Sequence, residues 1–267
     1  FYVLPLRSSS HVTLLQVISD EYGESAEYLG SVLSSVGIFI SIIAQVIAAS
    51  ALLTSITPLS LPQSALFSIL LMSVYVIFGG AWGAGMGGIL KLLLMYLSCV
   101  IGFVSVMYLS GGFSGLTSSL NSVMTQTSLS SLYDTVSDTD VSKRFFNMIA
   151  RGPFHDLGSC LSLIFGVLST QTYAQAIWSA KSNKAAKKGA LLTAALTPPI
   201  GIACTFIGLF MRTHYITTAE LTSLQASNLA IPEGLKELAS SSQVFPAFVI
   251  DYMPSLIGGF ILGALLL

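Results

Sequence analysis

Residues 163–212 read LIFGVLSTQTYAQAIWSAKSNKAAKKGALLTAALTPPIGIACTFIGLFMR, and this stretch determines the fold. It holds two apolar segments, each long enough for the roughly 20 residues of helix that cross the hydrocarbon core of a bilayer. The short loop between them carries Lys181, Lys184, Lys187 and Lys188. Because cationic side chains concentrate in short cytoplasmic loops, the first segment is predicted to enter the cytoplasm and the second to leave it.

The composition also indicates a membrane protein. Hydrophobic residues make up 53% of the 267 residues and charged residues only 9%, against roughly 25% charged in an ordinary soluble domain. The mean hydropathy is +0.80. A net charge of −1 argues against a nucleic-acid partner, which requires a basic face. The three cysteines lie dispersed in apolar runs without a CxxC pair, which is typical of small hydrophobic residues rather than a disulfide framework or zinc site.

The region 28–90 contains no Asp, Glu, Lys, Arg or His and predicts two spans, 29–53 and 63–78. Two prolines in 54–62 separate them, because proline ends helices. The glycine-rich segment 79–88 includes Gly83-x-Gly85-x-x-Gly88, which matches the dinucleotide fingerprint by letter but has no βαβ unit around it. We interpret this segment as a tight cytoplasmic turn.

The remaining chain predicts further spans and two outer loops. We expect about six spans in one transmembrane domain, residues 1–267, with the all-α fold of a multi-pass membrane helix bundle. Residues 1–6 are predicted to end a helix that Arg7 anchors at the cytoplasmic face, and 13–23 to form an amphipathic cytoplasmic stretch. Because the chain opens and closes inside apolar runs, we expect a fragment of a longer protein. The later spans are 91–109, 157–180, 189–211 and 245–267; the extracytoplasmic loops are 111–156 and 213–244, with short helices near 141–150 and 233–240.

The sequence carries no soluble-enzyme constellation: HExxH and GxSxG are absent, and the three histidines lie in separate loops. Transport instead needs a few polar groups at membrane depth and helices that break there. The span 157–180 supplies both, with Gly166 predicted to interrupt it. Hydrogen-bonding side chains in lipid are costly, so they should face a neighbouring helix or a water-filled cavity. These polar residues are Ser169, Thr170, Gln171, Tyr173 and Gln175; Gln45 in the first span poses the same alternative.

A family resemblance emerges from three motifs. The central motif runs Gln171-Thr172-Tyr173-Ala174-Gln175, then Ser179-Ala180-Lys181-Ser182, then Ala186-Lys187-Lys188-Gly189. A Thr-led stretch ends at Tyr22-Gly23, and a Phe245-Pro246 … Asp251-Tyr252-Met253-Pro254 pattern opens the last span. Together they resemble the sodium/solute symporter family, which includes sodium-driven sugar, proline and pantothenate carriers. The resemblance implies a partial inverted-repeat, LeuT-like transporter core.

The resemblance also implies roles for particular residues. Phe165 falls at the family's aromatic gate and Thr170 at a polar solute contact. Thr197 stands where sugar-carrying relatives can place a lysine, which argues mildly against a sugar. The family's usual Thr-Asp-x-x-Gln continues the glycine turn, but Gly87, Gly88 and Lys91 stand here, so the ion stoichiometry is open. The candidate solute-binding residues are Gln45, Phe165, Ser169, Thr170, Gln171, Gln175 and Thr197.

The function that the resemblance implies is secondary active transport, with Na⁺ as the coupling ion and a small polar solute as cargo. The family's main sodium site lies between elements outside this chain, so no metal ligand is assigned, and no covalently bound cofactor or catalytic residue is expected. The location implied is the plasma or inner membrane, with the lipid bilayer as partner. Two alternatives stay open: a membrane-embedded sensor or structural subunit on the same fold, and a proton-coupled carrier.

Overall fold

The computed structural model describes residues 2–9, 11, 13–125, 145–147, 149–150, 152–229 and 233–266, with only the backbone for 80–86 and 266. Its described elements are mainly helices. They are α1 (Val3–Ser8), α2 (Leu14–Tyr22), α3 (Glu24–Ile56), α4 (Leu61–Leu109), α5 (Gly112–Met124), α6 (Pro153–Ser169), α7 (Gln171–Trp178), α8 (Asn183–Arg212), β1 (Tyr215–Thr217), α9 (Thr218–Ala226), β2 (Lys236–Leu238), a 3₁₀ turn (Ser241–Gln243), α10 (Val244–Tyr252) and α11 (Ser255–Leu266).

The chain divides into two compact units. Unit 1 comprises residues 1–43 and 146–199, and unit 2 comprises 44–145 and 200–267. In unit 1, the predicted amphipathic stretch is the helix α2. A capping box starts it: the Thr13 hydroxyl accepts from the Gln16 backbone N–H at 3.2 Å, and the Gln16 side chain accepts from the Thr13 N–H. This reciprocal pair satisfies two donors that a helix start would otherwise leave open.

Unit 2 is held together by an apolar core. Its most buried members are Phe248, Leu116, Leu120, Met124 and Ile207, none more than 1% exposed. They come from α5, α8 and α10, and they pack in one cluster with residues of α4 and α11 such as Val106 and Ile261. Burying a large side chain of this kind stabilises a fold by about 1.5–3 kcal/mol, so packing determines the structure of this unit.

Four described segments are long and apolar enough to cross a membrane: Glu24–Ile56, Leu61–Gly79, Gly87–Leu109 and Asn183–Arg212. The bent pair α6–α7 adds a fifth if it is counted as one span. At most 22% of each single-helix span is buried within the protein, so the apolar remainder faces outward, as a helix in contact with lipid requires. The multi-pass helical fold is confirmed. About six spans were predicted, whereas four of the described helical segments are long and apolar enough, or five with the bent pair. The predicted last span, 245–267, is divided between α10 and α11, and neither of these helices is long enough to cross a membrane.

Two local expectations are wrong. The glycine-rich segment 79–88 was expected to turn, but α4 continues through it as helix from Leu61 to Leu109. No proline interrupts that segment, so the backbone can keep its helical bonds. The segment 233–240 was expected to be helical, but Lys236–Leu238 forms the strand β2, which pairs in parallel with β1 through Tyr215 and Lys236. The helix expected near 141–150 lies mostly outside the described residues.

Candidate functional site

A span in unit 1 is broken where the chain passes from α6 to α7. The break is at Thr170, whose backbone is extended at φ −81° and ψ 117°, and the two helices meet at 48°. The sequence predicts a break in this span but places it at Gly166, four residues too early. Gly166 lies inside α6, whose helix ends only at Ser169.

The far end of α7 is held by Arg7. Its Nη1 atom donates to the carbonyl oxygens of Ile177 and Trp178, both at 3.0 Å, and its Nε atom donates to Asn183 Oδ1 at 2.7 Å. In return, Trp178 Nε1 donates to the Leu6 carbonyl at 2.8 Å. A cation on the last carbonyls of a helix satisfies acceptors without an intrahelical partner and favours the helix dipole. These bonds join α1 to the end of α7 and the start of α8, and we call them the Arg7 clasp.

The near end of α7 is held by a second pair of contacts. Gln171 Oε1 accepts from the backbone N–H of Leu14, the first residue of α2, at 2.7 Å. The Tyr2 hydroxyl donates to the carbonyl of Leu168, close to the end of α6, at 3.4 Å. Both contacts come from the first 14 residues of the chain. The short helix α7 is therefore attached at both ends to the N-terminal segment.

An open groove of about 790 Å³ runs along α6 and past the break. Its lining combines small residues, hydroxyls and one imidazole, and the described lining includes no Asp, Glu, Lys or Arg. The lining residues are His155, Gly158, Ser159, Ser162, Leu163, Gly166, Val167, Thr170 and Tyr173. A concave site with a few polar groups at a broken membrane helix is the kind of place where carriers bind their solutes.

The groove hydroxyls are arranged to accept hydrogen bonds. Thr170 Oγ1 donates back to the Gly166 carbonyl at 2.6 Å, and Ser159 Oγ donates to the His155 carbonyl at 2.9 Å. A hydroxyl has one proton and two lone pairs, so a hydroxyl that already donates along its own helix offers its lone pairs outward. The groove therefore suits a solute that brings N–H or O–H donors.

The structure places the seven candidate residues in different settings. Thr170 lines the groove, whereas the exposed side chains of Phe165, Ser169 and Gln175 lie beside the same break but are not among its lining residues. Gln171 is half-buried and bonded to α2. Two candidates lie elsewhere: Gln45 is exposed on α3, and Thr197 is exposed on α8.

Thr197 lies directly before two prolines inside α8. Pro198 and Pro199 lack the N–H groups that would reach the carbonyls of residues 194 and 195. The Thr197 hydroxyl donates instead to the carbonyl of Thr193, at 2.8 Å. Its bond runs along its own helix and satisfies neither of those two carbonyls.

Sequence reasoning missed the half of the groove that precedes Gly166. His155, Ser159 and Ser162 line it, and none was a candidate. Their spacing carried a signal, because positions 155, 159, 162 and 166 recur at three or four residues and so share one face of a helix. A polar stripe of that period in an apolar helix can be found from the sequence.

The fold and the groove together define the class: a multi-pass helical membrane protein with an open site at a broken span. The model of the sodium:solute symporter family matches residues 1–267, and the chain belongs to that family. No curated protein and no solved structure matches it. Membership identifies an integral membrane carrier from a family that couples solute uptake to sodium.

Proposed function

We propose that this chain forms part of a carrier that binds a small, uncharged polar solute in the α6–α7 groove and moves it by alternating access, driven by sodium. The observation that carries the proposal is the break at Thr170 beside a groove lined with hydroxyls. Broken helices near the membrane midplane free backbone groups that a solute or ion can use, and this is a recurring design of secondary transporters.

The chemistry of the groove supports a narrower solute class. With acceptor lone pairs at Ser159 and Thr170 and no acidic or basic side chain other than His155 in the described lining, a charged solute would lack a counter-ion. A solute rich in hydroxyl or amide N–H donors matches the site. Its apolar edges can lie against Leu163 and Val167.

Sodium is the coupling ion in this proposal, and it acts by binding one state of the carrier more tightly than the other. The solute then binds to the outward-open state, and the repeats rock to open the other side. We further propose the LeuT-like inverted repeat, a single transmembrane domain over 1–267, extracytoplasmic loops at 111–156 and 213–244, and the plasma or inner membrane as location. Of the candidates, Thr170 is the proposed direct contact; Gln45, Phe165, Ser169, Gln171, Gln175 and Thr197 remain predictions.

The test is sodium-dependent uptake by the full-length carrier in liposomes, screened across neutral sugars, polyols, amides and amino acids. Thr170→Val removes one hydroxyl at nearly constant shape. It should raise the KM of the transported solute about tenfold, since a lost hydrogen bond of about 1.4 kcal/mol is tenfold in affinity. The matched control is Thr205→Val: Thr205 is also exposed and also donates to the carbonyl four residues back, at 2.8 Å, but lies outside the groove.

The outcomes separate the parts of the proposal. If the KM were unchanged in Thr170→Val, or rose equally in Thr205→Val, the proposal that the solute binds in the groove would be wrong. If uptake persisted when choline replaced sodium and followed a proton gradient instead, sodium coupling would be wrong. Binding of the solute in the groove would not be affected by that result.

A further inference from the structure

A cluster of cations lies at the start of α8, outside the groove and unused by the proposed transport function. Lys181 lies two residues before the helix, and Lys184, Lys187 and Lys188 lie in its first two turns, all of them exposed. Among the described residues, no carboxylate lies within ion-pair distance of any of these lysines. The cluster therefore presents four positive charges without a counter-ion from the described part of the chain.

Helix geometry places the three lysines of α8 on one side of the helix. Positions 184, 187 and 188 are three or four residues apart, so their side chains project in similar directions. Ala186 lies about 160° around the helix from Lys184, and it is only 6% exposed. The side of Ala186 packs against the protein, and the lysines point away from it. We call Lys184, Lys187 and Lys188 the lysine face.

The same side of α8 continues into an apolar surface. Leu191 and Leu192 lie three and four residues after Lys188, one turn further along the helix, and they are 62% and 59% exposed. This part of α8 belongs to a segment that is long and apolar enough to cross a membrane. Cations followed along one side of a helix by exposed leucines match the two parts of a phospholipid, its charged headgroup and its acyl chains.

We propose that the lysine face binds the headgroup of an anionic phospholipid, whose acyl chains lie against Leu191 and Leu192. Charge complementarity supports this partner, because lysine ammonium groups bind phosphate as point charges. The sequence predicts that this loop lies in the cytoplasm, and the cytoplasmic leaflet carries the anionic surface, where each nearby lysine raises the affinity about fivefold. A free phosphate would use the lysines alone, whereas a lipid also uses the leucines beside them.

The test uses the full-length carrier in phosphatidylcholine liposomes that contain a small fraction of photoactivatable phosphatidylglycerol, with a diazirine in its acyl chain. A parallel sample contains photoactivatable phosphatidylcholine instead. After illumination, peptide mapping measures the lipid adducts on the peptide that holds Leu191 and Leu192. We expect about fivefold more adduct from phosphatidylglycerol. The two yields should become nearly equal in about 1 M salt, where the Debye length falls to about 3 Å.

Two kinds of control make this result specific to the lysine face. The peptide that holds Leu66 and Phe67, which are also exposed but lie in the charge-free region 28–90, should show no preference between the lipids. The triple variant Lys184→Gln, Lys187→Gln and Lys188→Gln should lose the preference at the leucine pair. The corresponding triple arginine variant keeps the charges and should retain it.

Each contrary outcome overturns the proposal. Equal yields from the two lipids in the unaltered protein would do so without any variant, so misfolding of a triple variant would not spare it. A preference that persists in the triple glutamine variant would exclude the lysine face as its cause. If millimolar inorganic phosphate removed the preference and chloride of the same ionic strength did not, the cluster would bind free phosphate and not a lipid. The measurement requires no transport, so its result is independent of the proposed function.

Discussion

The bent pair α6–α7 and the helix α8 differ in a way that their prolines would not predict. After Pro153, its first residue, the path from α6 to α7 contains no proline, but it breaks at Thr170 with a bend of 48°. The helix α8 contains Pro198 and Pro199 and continues from Asn183 to Arg212. Proline usually ends a helix, but here the two prolines lie inside α8, the helix that continues.

The difference teaches that partners, more than breaker residues, decide where a membrane helix stops. Near the break, the Leu168 carbonyl accepts a hydrogen bond from the Tyr2 hydroxyl, and the Gln171 side chain accepts one from the Leu14 N–H. At the other end of α7, Arg7 donates to the last carbonyls of the helix. A break in lipid is tolerated only where such groups re-satisfy the backbone. The prolines of α8 remove N–H groups, yet the helical bonds on either side persist.

The largest effect is expected from Arg7→Met, which keeps the length of the side chain and removes the Arg7 clasp. It leaves the carbonyls of Ile177 and Trp178 without their charged donor, and hydrogen bonds of this kind contribute about 1.5–3 kcal/mol each. We expect the free energy of unfolding to fall by about 3 kcal/mol and sodium-dependent uptake to be nearly lost. Thermal melting in detergent and liposome uptake measure the two effects.

Two variants make that result specific to the clasp. Arg7→Lys keeps the charge but not the fork of donors, and should recover only part of the stability. Lys184→Met removes an exposed cation from the start of α8 and should change little. If Lys184→Met had the same effect as Arg7→Met, the loss would come from the removal of positive charge in this region and not from the clasp.

A smaller effect is expected from Gln171→Ala at the other end of α7. The variant removes the acceptor of the Leu14 N–H, a partly buried bond of 2.7 Å, and should cost about 1–2 kcal/mol of unfolding free energy. Gln171→Glu keeps an acceptor oxygen in the same place, so it should retain most of the free energy of unfolding that Gln171→Ala loses. Gln175→Ala, one turn further and exposed, is the control. A raised KM with unchanged melting would instead assign Gln171 to the solute, as the sequence allowed.

The paired change Pro198→Ala and Pro199→Ala tests the intact helix. Restoring two N–H groups lets the carbonyls of residues 194 and 195 bond within α8. A mid-helix proline ordinarily lowers the stability of a helix by about 3 kcal/mol. Because α8 accommodates both prolines, we expect the double variant to raise the free energy of unfolding by only about 1 kcal/mol. The melting midpoint of the double variant checks this. A lower midpoint would show that the prolines, and not the partners of their neighbours, shape the helix.

The same comparison shows how much the sequence could predict. Spans could be predicted because an apolar run of about 20 residues matches the length of helix that crosses the hydrocarbon core of a bilayer. The break was also expected in the correct span. Its position was missed because the helices on either side of Thr170 are held by hydrogen bonds to Tyr2, Arg7 and Leu14, which lie more than 150 residues earlier in the sequence than their partners. No local pattern records such contacts. The parallel pairing of Tyr215 with Lys236 was also missed, because the residues between the two strands do not indicate that the strands meet.

The candidate site divided in the same way. The polar cluster near the break pointed to the groove, and Thr170 lies in it. The earlier stripe of His155, Ser159 and Ser162 follows a helical period, but the break predicted at Gly166 separated it from the polar cluster that follows. The helical periodicity of these side chains could have identified them as groove residues. The hydrogen bond between Gln171 and α2 could be seen only in the structure.

The smallest effect is expected from Thr197→Val, which completes the comparison between the two helices. Thr170 and Thr197 are both exposed and both donate to the carbonyl four residues back, at 2.6 and 2.8 Å. Only Thr170 lines the groove. An intrahelical hydroxyl bond of an exposed residue contributes little, so Thr197→Val should change the unfolding free energy by less than about 0.5 kcal/mol. The solute KM should stay within about twofold, whereas Thr170→Val raises it about tenfold. If the two valine variants raised the KM equally, the solute would contact both helices, and the site would extend beyond the groove at the break.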